Sequence, residues 1–349
     1  MSTLLVGERE KALPAQNLSR LFALFLPGLV AIAYPWLLLA ISRLLHASGV
    51  SVPPNPGVIA LAAFLILASA WSVMAISFAR ALALARSGEG AGGRLLAHLA
   101  FASPSLLVGF GNIAGLLHAR GAVVIAWPIF WLAVMAVVWL AQDAPQPLAA
   151  PSRKRLAVAH GVSALAILIL FILPHLGNHL TGIVSGAAHI QMMKLARMDY
   201  RNAIVEPLLL ALIAFQIVSG FVLVRRKLMS AGDFFGTLQT MTGVYVGIYL
   251  LAHMTAAFSA RGAGTDTNWN WLTDNDQGLL DHLSSFTLVA HYWVGPVAIV
   301  AHVACGLRNV MMEHGISAAA AGRLAWSLIG LGVAASSVIL AGLLGVHIA

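Results

Sequence analysis

Nine apolar runs, each about twenty residues or longer, leave this chain few ways to fold. They cover about residues 18–45, 57–85, 95–117, 122–141, 156–180, 204–225, 236–259, 285–308 and 322–348. A run of roughly 20 apolar residues is what an α-helix needs to cross a bilayer. Ala, Leu, Val and Ile fill these runs without the period-two alternation of a membrane strand. In lipid only helices and closed barrels satisfy every backbone group. The charge count agrees: 9% of the 349 residues are charged, against about a quarter in a soluble domain. A water-soluble globule and a disordered chain are both excluded. The expected fold class is all-α, a polytopic membrane helical bundle of about nine transmembrane helices.

The loops punctuate these runs. Pro53-Pro54-Asn55-Pro56 separates the first two, and a stretch with three prolines at 143–151, followed by Arg153-Lys154-Arg155, makes the largest break. That break divides the chain into a four-helix part, 1–150, and a five-helix part, 151–349. Pro27, Pro35, Pro104 and Pro128 suggest kinks in the first part. Of the 20 Lys and Arg residues, 14 fall on the side of the N-terminal tail and the even-numbered loops, and 6 on the other. The positive-inside rule then puts the N-terminus in the cytoplasm, and the acidic loop with Asp266, Asp274, Asp276 and Asp281 outside. This scatter of positive charge is that of membrane loops, so the net +8 gives no reason to expect a nucleic-acid partner. One cysteine, Cys305, allows no intrachain disulfide and no cysteine metal site. The charged Glu8-Arg9-Glu10-Lys11 start is unlike a secretory signal peptide.

Thirteen histidines are too many for a passive membrane protein, because ionisable groups inside spans are costly and usually functional. On the topology above, His175 and His179 lie near the outer end of the fifth span, with His253 at a similar depth in the seventh. His160 lies near the inner face. His291 and His302, about three turns apart on the eighth span, are outer and inner. Two imidazoles at one depth on facing helices are what a bis-histidine haem needs. His46, His98, His118, His282, His314 and His347 fall near span ends and read as interfacial. Trp269 and Trp271 read as interfacial anchors. Tyr245 and Tyr249 read as core.

The segment His302-Val-Ala-Cys-Gly306-Leu-Arg308-Asn309-Val-Met-Met-Glu313-His-Gly315 resembles the cytochrome b signature of succinate dehydrogenase membrane subunits, with Asn309 and Glu313 in place of that pattern's second His and its Asp. Arg155 to His160 with His175, Ala187-Ala-His189, Tyr200-Arg201, Val205-Glu206, Leu238 to Gly243 with His253, and Tyr292 with Gly295 follow in the matching order. About 153–349 thus resembles the single-chain, five-helix cytochrome b anchor of the succinate dehydrogenase and fumarate reductase family. The first 150 residues have no counterpart there.

The resemblance implies a multi-pass subunit of a bacterial inner (cytoplasmic) membrane that passes electrons between an iron–sulfur subunit and membrane quinone. Its partners would be that subunit, a flavoprotein subunit, lipid and quinone. It implies an outer haem b on His175 and His253, and an inner one with His302 as one iron ligand. The second inner ligand should fall within 214–220, where this chain has Gln216. The inner haem is then absent, five-coordinate on His302, or completed by another histidine such as His160. Arg308 is placed to hold a haem propionate or a lipid headgroup, and Arg197 and Arg201 to pair with Glu206 or serve a propionate. Glu206 is a candidate proton carrier at a quinone site, or a plain helix-start acid ahead of Pro207. The flavin and cluster chemistry cannot lie on this chain, which lacks a cysteine framework. The alternatives are a divergent cytochrome b or structural subunit of another respiratory or photosynthetic complex, and a transporter with histidine proton relays.

Overall fold

The computed structural model describes residues 15–47, 56–88, 90–141, 154–273, 285 and 288–349. The Glu8–Lys11 start, the Pro53–Asn55 turn, the break at 143–151 with Arg153, and Asp274, Asp276, Asp281 and His282 lie outside these residues, as does the His46 side chain. Among the described residues all regular structure is helical: α1 (Ala15–Ala47), α2 (Pro56–Ser87), α3 (Ala91–Phe101), α4 (Ser103–Leu116), α5 (Val123–Leu140), α6 (Lys154–Ile167), α7 (Leu173–Leu180), α8 (Gly186–Tyr200), α9 (Val205–Leu228), α10 (Phe234–Gly262), α11 (Trp269–Thr273), α12 (Leu288–Glu313) and α13 (Ala318–Leu343). Among the described residues eight spans are long and apolar enough to cross a membrane, or nine if the bent pair α3–α4 counts as one span. The chain is a multi-pass helical membrane protein.

One proline coincides with a sharp bend, and the others inside spans do not. Between α3 and α4 the axis turns by 69°. Pro104, in the first turn of α4, lacks the N–H that would continue α3, and its ring clashes with a carbonyl one turn back. Pro27, Pro35 and Pro128 stay inside unbroken helices. In the fifth span α6 passes through a π turn, Leu168–Ile172, into α7, just before Pro174. Such turns recur at functional sites, and this one ends three residues before His175. Two helices were not expected, the short α11 (Trp269–Thr273) and the longer α8. The stretch after the fifth span forms α8, started by Ser185, whose hydroxyl accepts from Ala188 N–H.

The core ignores the break near residue 150. Tyr34 and Leu38 of α1, Ala70 of α2, Phe101 of α3, Tyr245 of α10, Val294 of α12 and Leu343 of α13 belong to one buried cluster. Polar groups bind the two parts as well. Arg94 of α3 is 2% exposed and donates to the carbonyls of Leu228 (3.0 Å) and Ser230 (2.6 Å) at the end of α9. His98 bridges the Arg94 carbonyl and Thr240 Oγ1, and Asn112 donates to the Ala252 carbonyl. His98 is therefore a fully buried structural residue, not an interfacial one. Trp269 too is buried, against His189, and does not anchor at an interface. Packing is uneven along the bundle: two thirds of the α12 span is buried but only 6% of the α6–α7 span.

Candidate functional site

Two pairs of imidazoles face one another across helices, one toward each end of the bundle. Toward the Arg226 end, the rings of His160 (α6) and His302 (α12) have centres 6.4 Å apart at 83°. Toward the Trp269 end, His175 (α7) and His253 (α10) have centres 6.2 Å apart at 77°. Fifteen residues separate His160 from His175, so the pairs lie about 20 Å apart along the axis, both within a hydrocarbon layer of roughly 30 Å.

The first pair has a defined protonation. His302 Nδ1 donates to the Gln239 carbonyl at 2.9 Å. A carbonyl only accepts, so the proton is on Nδ1 and Nε2 keeps its lone pair. His160 Nδ1 lies 2.8 Å from Ser219 Oγ. Ser219 spends its one proton on the Phe215 carbonyl, so it accepts from His160, and that Nε2 is bare as well. Both rings are in the state that binds a metal, each oriented by a hydrogen bond on its far nitrogen. Gly243 makes room for His302: a Cβ there would stand 2.8 Å from the ring. Gln239 has a second task, accepting from Asn309 through its side chain at 2.9 Å. Gln216 donates to the His160 carbonyl (2.7 Å) and to Ser163 Oγ. It ties α9 to α6 in the place where a ligating histidine was expected.

The second pair belongs to a longer series of rings. His189 and His179 share a contact of 3.3 Å between ring nitrogens. His179 meets His175 at 4.7 Å, and beyond His253 lies His291 at 6.3 Å and 26°. His291 Nδ1 shares a hydrogen bond with Ser105 of α4 (3.0 Å), which in turn meets the Tyr245 hydroxyl (2.8 Å). His253 therefore has two histidine neighbours at nearly equal distance, His175 and His291, with the Tyr249 and Tyr292 rings also against it. Sequence reasoning placed His291 near this end without giving it a role. The available signal was Ser105, a hydroxyl inside an apolar span, which must find a partner.

The charged candidates are spread around these rings. Glu206 pairs with Arg261 at 2.6 Å, rather than with Arg197 or Arg201. Arg197 takes Asp266 at 2.7 Å. Burial pushes the Asp266 carboxyl up, but the hydrogen bond and charge of Arg197 outweigh it and hold the group below its usual range. Arg308 lies over the Phe235 ring at 4.2 Å, and its buried Nε has no hydrogen-bond partner.

These residues fit a b-type haem on three counts. Two imidazoles that share an iron have ring centres about 6 Å apart, from a metal–nitrogen bond of about 2 Å and a ring radius of about 1.1 Å on each side. Both pairs have that spacing. His160 and His302 offer bare nitrogens, and Arg308 is a cation with donor capacity to spare on the helix that carries His302. Among the described residues no group of three or more His, Cys, Asp or Glu is placed to hold a bare metal ion. No family model, curated protein or solved structure matches the chain.

Proposed function

We propose that this chain is a haem b-carrying membrane subunit that passes electrons between membrane quinone and an iron–sulfur partner, in the manner of a succinate dehydrogenase anchor. The supporting observation is the pair His160–His302, spaced for a shared iron at 6.4 Å with both far nitrogens bonded to the protein. In this reading His160 takes the place of the histidine that Gln216 lacks, and His175 and His253 hold a second haem. Bound haem supplies a one-electron iron couple, tuned by its axial ligands and apolar burial. The chain's own part is to orient the four imidazoles, exclude water from them, and set Arg308 toward a propionate. Glu206 is a weaker candidate for proton transfer than its position alone suggested, because its carboxylate is already engaged by Arg261 at 2.6 Å. A flavoprotein subunit would complete the complex, in a bacterial inner membrane.

A pyridine haemochrome assay on the purified full chain tests this. Two haems per chain are expected, falling to one in His302→Ala and to one in His175→Ala. A folded, colourless chain overturns the reading. One observation favours a second reading, a haem-free proton conductor: the series of five neighbouring imidazoles from His189 to His291. It predicts proton flux into liposomes that His179→Ala stops.

A further inference from the structure

The four-helix part forms one wall of a cavity of about 460 Å³, and α10, α11 and α12 form the other. That size is within the range of small-molecule sites, roughly 300–1,000 Å³. His253 and Ser259 both line it, and between them α10 rises about 9 Å. The character of the lining changes along that length.

The mouth carries a cation. Arg120 and His118 lie there, just past the end of α4, with Ser259 opposite. Arg120 has no carboxylate partner among the described residues. Its guanidinium turns back over α4: a Cβ at Gly115 would stand 3.5 Å from its Nε and 3.8 Å from its Nη2. His118 has a φ of 52°, in the position after a helix that glycine usually takes. The turn closes behind it, with Ala119 N–H on the Ala114 carbonyl at 2.7 Å. Backbone strain of this kind clusters at functional sites and ligand clamps, and here it brings a second ring nitrogen donor to the mouth.

The middle is a slot. Gly111 and Gly115 are one turn apart on one face of α4 and give a wall without side chains. A Cβ at Gly111 would meet nothing within 4 Å. Ala256 and the Trp271 indole line the other side. The inner end is polar and carries no acid. Asn112 there commits its amide N–H to the Ala252 carbonyl, and His291 Nδ1 is tied to Ser105. The Tyr292 hydroxyl has no hydrogen bond among the described residues.

These groups suit a molecule with an anionic head and a flat apolar body. A guanidinium presents a rigid fork that meets a carboxylate in two parallel hydrogen bonds. A ring fits between a glycine wall and an indole, where aromatic contacts add to the burial of its faces. We propose that this cavity binds a small aromatic monocarboxylate, with its acid group on Arg120 and its ring in the slot between α4 and Trp271. The four-helix part then supplies the half of the site that recognises charge. An occupant covers the cavity faces of His253 and His291. Such a ligand is neither a redox partner nor a cofactor in the function proposed above, and its binding does not rest on that reading.

The test is calorimetric titration of phenylpropionate into the full chain in phosphatidylcholine nanodiscs, with empty nanodiscs subtracted. Saturable binding is expected. The methyl ester of the same acid is the control, because it enters lipid more readily than the acid but offers no charge to Arg120. Acid should bind more tightly than ester. Arg120→Gln should weaken the acid about tenfold or more and leave the ester unchanged, and Arg120→Lys should restore part of the loss. Gly111→Leu fills the slot and should weaken both. An ester that binds as well as the acid, or an acid indifferent to Arg120→Gln, overturns the proposal, as does the absence of saturable binding. If Gly111→Leu does not accumulate, Arg120→Gln decides alone, since that residue is exposed and the core does not depend on it. Haem measured on the same samples keeps the two readings apart: a colourless chain that binds the acid removes the haem reading and leaves the site, and a haem-loaded chain that ignores it does the reverse.

Discussion

The two imidazole pairs have nearly the same ring spacing, 6.4 and 6.2 Å, in different settings. His160 and His302 each bond to the protein through Nδ1 and have one ring neighbour across the bundle at that spacing. His253 stands between two histidines at about equal distance, in a series of five rings. Spacing follows from which helices lie side by side. Readiness to bind iron depends on what holds the far nitrogen, and on that criterion the Arg226-end pair is the better prepared. The resemblance alone ranked the pairs the other way, because it weighed the missing histidine at Gln216 and could not see Ser219 beside His160.

Removing one ring at a time separates the two pairs. His302→Ala should abolish the b-type absorbance of its own pair entirely and leave the other intact, read from reduced-minus-oxidised spectra. For His253 the partner is the issue: His175→Ala should cost the second haem and His291→Ala should not. The opposite result would move that haem to α10 and α12. Ser219→Ala comes next. It leaves His160 in place but removes its acceptor, and haem retention should weaken roughly 10–100-fold, the usual cost of losing such an outer partner. Ser105→Ala should leave haem retention unchanged.

Smaller effects distinguish how the two ends are held. Arg94→Met strips the buried Leu228 carbonyl and the part-buried Ser230 carbonyl of their donor and should cost about 1–3 kcal/mol in detergent unfolding, the usual cost of one buried group left unpaired. The other end is held by Arg197 and Asp266, with side chains 17% and 57% exposed, and its contribution is slight. Its sign with pH is fixed. The folded pKa of Asp266 is depressed, so its stabilisation is full above the unfolded value of about 4 and fades as pH falls through the folded one. The melting temperatures of Arg197→Met and the parent should converge in acid.

The spans were legible because apolar length is a one-dimensional property. Depth was legible too: counting along the runs paired His175 with His253, and the structure brings those rings together. What sequence could not supply was which side of a helix meets which neighbour. His98 near a span end is buried because α3 packs on α10, and Gln216 turns to the His160 carbonyl. The π turn before Pro174 shifts the helical register on which such facing depends. The helix α8 was missed because its mixed polarity matches neither a span nor a loop of Gly and Pro.

The Arg94 clasp also bears on how the protein is made. Its two acceptors lie 134 and 136 residues further along the chain. At about 5–20 residues per second, roughly 7–27 s of synthesis separate the cation from its partners. Throughout that interval α3 carries a guanidinium with no carbonyl to take it, so it must stay near water or lipid headgroups. The four-helix part, first to be made, is thus among the last to be finished: its final seating waits for α9 to leave the ribosome.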